Sequence, residues 1–221
     1  MRLHLASTSP ARLMVLRSAG IEPATLSPGV DEEAAVTAEA ARLGRAPEAD
    51  ETVQLLARLK AEAAYRALSG SDEHGEGGHP VETLILGGDS AFAFGGQVLG
   101  KPHTREVALE RWRSQRGGTG VLHSRHWLID GRTGTGVGAV STASVTFAAD
   151  LDDDDLDWYL DSGEPLEVAG AFTLDSLGQA FITRIEGDPG TVIGLSIPLL
   201  RELAGILDVR WPSLVRGNPL P

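Results

Sequence analysis

The sequence predicts an α/β fold built on a mixed sheet flanked by helices, and three observations carry that prediction. Short apolar runs at 3–6 and 83–86 have strand character, segments with helical apolar spacing alternate with them, and both hairpin and crossover connections are signalled.

Residues Leu3 to Ala6 read as a short buried strand. The helix that follows is marked at both ends: Ser9 as N-cap, Pro10 at the first helical position and Gly20 as a C-terminal stop. A strand entering a capped helix aims unpaired amide N–H groups at one point with the positive end of the dipole behind them, which is the geometry of an anion site. From Asp50 to Leu68, Val53, Leu56, Ala57, Ala64 and Ala67 keep helical spacing, and Lys60 interrupts their stripe. Residues 69–80, Gly-rich and polar, read as a surface loop. Thr83 to Leu86 reads as a buried strand ending at Gly87-Gly88-Asp89-Ser90, which places Asp89 at the strand's carboxyl end. Gly95-Gly96 between Ala91–Phe94 and Gln97–Leu99 is a hairpin signal. A helix over 104–116, long strands over 121–130 and 139–147, a helix opened by Asp152 to Asp155, a strand over 180–185 and a last helix over 197–207 complete the pattern. Residues 1–208 are expected to form one domain, with two lobes about a central cleft as an open variant. Residues 209–221 are expected to be a loosely attached tail.

Composition removes whole classes of function. Lys plus Arg number 19 against 31 Asp plus Glu, a net charge of −12, so a protein that coats a nucleic-acid polymer is not expected. The absence of cysteine excludes disulfides, thiolate zinc sites and thiol nucleophiles. The N-terminus lacks a signal-peptide core and no apolar run approaches the roughly 20 residues that span a bilayer, so a cytoplasmic protein with no membrane partner is expected. Gly95-x-x-x-x-Gly100-Lys101 imitates a phosphate-binding P-loop until Pro102, which has neither the hydroxyl for Mg²⁺ nor an N–H for phosphate. The six histidines lack HxxxH and HExxH spacing, and a GxSxG nucleophile elbow is missing.

Several polar residues remain as candidates, each with a plain structural alternative. Asp89 stands where open α/β sheets place catalytic groups, or it is a turn aspartate. Lys60 interrupts an apolar stripe, or it snorkels. Arg12 opposes the helix dipole in the first turn, which suits a neighbouring anion, or it is a tolerated surface cation. Asp31-Glu32 after a Pro-Gly turn holds a metal or is solvated. Asp152 to Asp155 read as a solvated helix start, because adjacent acids on a helix do not converge on one ion.

The segments LASTSPAR (5–12), GVDEE (29–33), LARLKAEA (56–63), GGDS (87–90), LGKP (99–102), EPLEVAGAF (164–172) and IEGDPGTVIGLS (185–196) together resemble the Maf family of nucleoside triphosphate pyrophosphatases, over roughly Leu3 to Leu207. The resemblance implies a strongly twisted mixed sheet similar to that of the inosine triphosphate pyrophosphatases. It also implies cytoplasmic, divalent-cation-dependent (Mg, Mn or Co) hydrolysis of a nucleoside triphosphate to monophosphate and pyrophosphate, as house-cleaning of non-canonical or modified nucleotides. A nucleotide-binding regulator of septum formation with little turnover is the alternative, and a homodimer is a candidate assembly. Carried over position by position, Ser7, Ser9 and Arg12 fall in the phosphate-binding turn, Lys60 and Lys101 on phosphate-neutralising lysines, and Asp89 on the catalytic base. Glu32 and Asp89 fall on metal ligands, and Ala11, Ser90 and Asp175 on specificity positions. Three departures stand out: Leu13 where many relatives have a second arginine, Leu174-Asp175-Ser176 where the known subfamilies have Gln or Glu motifs, and Ser90 where one subfamily has Thr. As a carboxylate, Asp175 accepts hydrogen bonds and cannot donate, so it is expected to favour bases presenting N–H groups.

Overall fold

The computed structural model describes residues 1–70 and 82–215. Seven strands form one mixed sheet in the order β2-β1-β3-β5-β6-β7, with β4 paired to β3. The strands are β1 (Arg2–Ala6), β2 (Ala24–Leu26), β3 (Thr83–Phe94), β4 (Gln97–Leu99), β5 (Thr119–Asp130), β6 (Gly136–Phe147) and β7 (Ile182–Gly187). Among the described residues the α-helices are α1 (Pro10–Ser18), α2 (Glu32–Leu43), α3 (Ala49–Ser69), α4 (Arg105–Gln115), α5 (Asp153–Asp161), α6 (Pro189–Ile193) and α7 (Ile197–Ile206). No helix among the described residues is long and apolar enough to cross a membrane.

The chain divides into two compact units: residues 1–89, 125–140 and 195–221, and residues 90–124 and 141–194. In the first, β1 pairs in parallel with both β2 and β3, with Ala6 opposite Leu26 on one side and Gly87 on the other. Parallel neighbours need crossovers. α1 supplies the one from β1 to β2, and α2 with α3 supply the one back to β3. The strand order therefore reverses at β1, and the loops leaving its carboxyl end diverge as at the ligand-binding switch points of open α/β sheets. Ala6, Ala61, Ala64, Ile85 and Ile129 pack into one core cluster of this unit.

In the second unit an aromatic core is organised edge to face. Trp112 meets Phe147 at 5.3 Å and Tyr159 at 5.6 Å between ring centroids, and Phe147 meets Phe172 at 5.0 Å. Gly95 and Gly96 both take positive φ, 58° and 78°, and close the β3–β4 hairpin as its turn requires. The P-loop imitation is thus a hairpin followed by a lead into α4.

Several expectations need adjusting. β3 does not end at Asp89. It runs on to Phe94, because the residues after Asp89 pair with β4, and what ends near Asp89 is the parallel pairing with β1. α2 and β2 have no counterpart in the sequence reading. In the described part of the region expected as a loose tail, Arg210, Pro212, Ser213 and Val215 are exposed, while Leu214 is 3% exposed and the N-terminal ammonium donates to Ser213 O at 3.2 Å. The expected loop at 69–80 begins with Ser69 ending α3 and Gly70 as its left-handed cap, and its remainder lies outside the described residues, as do 216–221.

Candidate active site

The first unit gathers Ser7, Ser9, Arg12, Glu32, Lys60 and Asp89 around the carboxyl ends of β1 and of the parallel part of β3. Ser9 caps α1, its Oγ accepting from the Arg12 amide at 3.4 Å. Ser7 Oγ, at the end of β1, accepts from the Ser9 amide at 3.2 Å and from Arg12 Nη1 at 3.2 Å, so the turn itself aims the guanidinium. Ala11 is the second residue of α1 and half-buried.

Two glycines of β3 make the approach possible. A Cβ on Gly87 would lie 2.1 Å from the Ala57 carbonyl oxygen and 2.9 Å from Ala61 Cβ, so only glycine lets α3 press this closely onto the strand. A Cβ on Gly88 would lie 3.3 Å from Arg12 Nε, so its hydrogen leaves room for the guanidinium. With α3 seated on Gly87, Lys60 reaches the strand.

Lys60 does not snorkel. It is 7% exposed, and its Nζ stands 2.7 Å from Asp89 Oδ1 and 2.9 Å from Glu32 Oε1. Glu32 is the first residue of α2, which Asp31 caps by accepting from the Ala34 amide at 2.9 Å. Asp31 is thereby a capping residue and Glu32 the one turned to the site. Burial raises the Asp89 pKa above the usual carboxylate value, and the charges of Lys60 and Arg12 pull it part of the way back. Burial likewise lowers the Arg12 pKa, while Asp89 and Glu32 oppose that shift. Two cations and two carboxylates are therefore held together, partly out of water, at the switch point of the sheet.

The other predicted positions belong to the second unit. Lys101 is half exposed and stands 3.6 Å from Glu167. Ser124 Oγ donates to the Thr191 carbonyl at 2.8 Å, so in its 2.8 Å contact with Ser90 it accepts, and Ser90 donates. Asp175 is exposed on the irregular segment between Phe172 and Leu177. Sequence reasoning missed Glu164, whose Oε1 accepts from Tyr159 Oη at 3.0 Å, from the Gly178 amide at 3.0 Å and from Thr173 Oγ1, and whose Oε2 accepts from the Leu177 amide at 3.2 Å. Burial by itself would raise the Glu164 pKa. Hydrogen bonds from the Ser176 and Thr173 hydroxyls and the Gly178 and Leu177 amides outweigh it and bring the pKa down to about 2.

A family model described as Maf-like protein matches residues 2–205. The chain belongs to the Maf-like family. Relatives of this Maf-like protein carry the name nucleoside triphosphate pyrophosphatase. One from Leifsonia xyli subsp. xyli is 57% identical over 97% of this chain and 96% of its own length. One from Salinispora tropica is 47% identical over 100% of this chain and 92% of its own, and one from Cutibacterium acnes is 46% identical over 96% and 94%. The match spans both compact units, and every segment that carried the resemblance lies inside it.

Proposed function

We propose that this Maf-like protein is a hydrolase that cleaves a nucleoside triphosphate between its α and β phosphates, releasing the monophosphate and pyrophosphate. The observation that carries the reading is the Arg12–Glu32–Lys60–Asp89 cluster at the sheet's switch point, together with relatives named for this activity. A site that only held a polyanion would gain nothing from a buried carboxylate. A site that hydrolyses one needs a base for the attacking water.

In this reading Asp89 Oδ accepts the proton of a water whose oxygen attacks the α-phosphorus, and the bond to the α,β-bridging oxygen breaks as pyrophosphate leaves. Lys60 pulls the burial-raised pKa of Asp89 back down, toward the ionised form that a base needs. Arg12, aimed by Ser7 and by the Ser9-capped turn, offers a planar fork of N–H donors to phosphate oxygens. Lys101 neutralises phosphate charge, and Ala11, Ser90 and Asp175 set the choice of nucleotide. The carboxylates of Glu32 and Asp89 converge on one positive charge, the Lys60 ammonium, so these hard oxygen donors fit a divalent cation such as Mg, Mn or Co. Among the described residues no third acid or histidine joins them. Such an ion would supply charge neutralisation and a more acidic bound water. A cytoplasmic location accords with the nucleotide substrate.

The experiment is product analysis in ¹⁸O-labelled water with a panel of canonical and modified nucleoside triphosphates. The proposal predicts unlabelled pyrophosphate and label in the monophosphate. Release of orthophosphate would instead make the protein a general phosphatase.

A further inference from the structure

Beside Asp89 in the sheet stands a second guanidinium, that of Arg125. β5 neighbours β3, and the Gly131 amide donates to the Thr83 carbonyl at 2.9 Å, which sets those two residues opposite each other. Counting along the two strands from that pair brings Ser124 opposite Ser90, whose hydroxyls do stand 2.8 Å apart, and so brings Arg125 opposite Asp89. Alternation puts Arg125, Trp127 and Ile129 on one face of β5. Ile129 shares a core cluster with Ile85 of β3 and with Ala61 and Ala64 of α3, so this is the face on which Lys60 meets Asp89. Side chains opposite one another on antiparallel strands start from Cβ atoms about 5 Å apart. Asp89 and Arg125 both belong to the first unit.

Arg125 nevertheless has no acid. Among the described residues the other half-buried arginines, Arg12, Arg105, Arg111 and Arg116, each donate to an oxygen of the protein. Arg125 makes no hydrogen bond or ion pair among them, and its Nε is buried without a partner. Its guanidinium stands 5.7 Å from the centroid of the Trp127 ring, which Arg58 also approaches, at 5.1 Å. A Cβ on Gly138 would lie 2.6 Å from Trp127 Cε3 and 3.1 Å from Arg125 Nη2, so glycine leaves room for this arrangement. An aromatic face offsets only part of the cost of sheltering a cation from water, and burial lowers the Arg125 pKa. Arg58 is already paired with Glu62. The cluster beside Arg125, meanwhile, is short of positive charge: Arg12 and Lys60 are balanced by Glu32 and Asp89, which leaves no excess for a polyanion.

We propose that Arg125 is a further phosphate-binding residue, stacked on Trp127 in the free protein and turned to the non-bridging oxygens of a triphosphate bound beside Asp89. The proposal rests on the reading of the Arg12–Glu32–Lys60–Asp89 cluster as the site of triphosphate cleavage and adds a cation that the cluster lacks. The planar fork of a guanidinium takes two phosphate oxygens at once.

The test measures the affinity of inorganic tripolyphosphate by calorimetry, and pyrophosphate release from nucleoside triphosphates, for the wild type, Arg125→Gln, Arg125→Lys and Arg58→Gln. Melting temperatures serve as the folding control. Arg125→Gln is expected to weaken tripolyphosphate binding by about tenfold or more, the worth of one hydrogen bond to a charged group. Arg125→Lys keeps the charge without the fork and is expected to lose less, and it decides the matter if Arg125→Gln does not fold. Arg58→Gln removes an equal charge from the same ring and is expected to change the affinity by less than about twofold. Unchanged affinity in folded Arg125 variants would overturn the proposal, as would wild-type protein that does not bind tripolyphosphate. So would an equal loss in Arg58→Gln, the mark of a general field and not of a contact. Wild-type protein that releases no pyrophosphate, yet binds tripolyphosphate through Arg125, would fail the cleavage reading and leave the assignment of Arg125 standing.

Discussion

Lys60→Met keeps the length of the side chain and removes the ammonium that stands 2.7 Å from Asp89 and 2.9 Å from Glu32. At 2.7 Å and an effective dielectric of about 20, the gross attraction to Asp89 is about 6 kcal/mol, most of it offset by the cost of dehydrating both groups. Removing one partner of a buried pair leaves that cost uncompensated. We expect a loss of about 3 kcal/mol, at the low end of the usual range because Arg12 still faces Asp89 and the carboxyl can take a proton. Glu32, whose side chain is 52% exposed, adds less than about 1 kcal/mol. The assay is urea unfolding of the wild type, Lys60→Met, Asp89→Asn and the double variant. The double variant should be more stable than the sum of the single effects by about 2 kcal/mol. Additivity within about 0.5 kcal/mol would refute the coupling on which the site description stands.

Gly87→Ala should destabilise the fold by about 3 kcal/mol or more in the same assay, because its Cβ would meet the Ala57 carbonyl at 2.1 Å and backbone has no rotamer to yield. Arg12→Lys keeps the charge but loses the planar fork that Ser7 orients, and kcat/KM should fall by about tenfold or more while the melting temperature stays within a few degrees. The Glu164 pKa is depressed from 4.5 to about 2, so its contribution to stability is complete above about pH 4.5 and is lost as pH falls toward 2. The gap in melting temperature between wild type and Glu164→Gln should therefore close across that window. A gap that stays constant down to pH 2 would contradict the assignment.

What could be read from the chain follows how local its physics is. α1 announces itself by Ser9, whose side chain does cap it, and the helices read over 104–116 and from the acidic run at 152–155 prove to be capped by Thr104 and Asp152. Lys60 stood out because it broke an apolar stripe, and Asp89 because it follows two glycines where a buried strand was expected to end. α2 was missed although Asp31 caps it and Gly44 ends it, since it buries no residue and so has no stripe to detect. β2 is three residues long, and its pairing with β1 is a tertiary fact. The continuation of β3 past Asp89 depends on β4 arriving as a partner. Glu164 left no local trace, because its partners are hydroxyls and amides up to 14 residues away. That Lys60, Asp89, Glu32 and Arg12 meet was suggested only by the family resemblance. The meeting itself comes from the crossover topology that returns β3 to the side of β1.

The central claim is that Asp89 is the base of a nucleotide-hydrolysing site, and turnover and binding measured together on Asp89→Asn test it most directly. Pyrophosphate release should fall by at least about 10²-fold, the lower range for loss of a general base. Calorimetric nucleotide affinity should stay within a few-fold, since Arg12 and Lys60 remain. An Asp89→Asn protein that releases pyrophosphate at the wild-type rate would contradict the account.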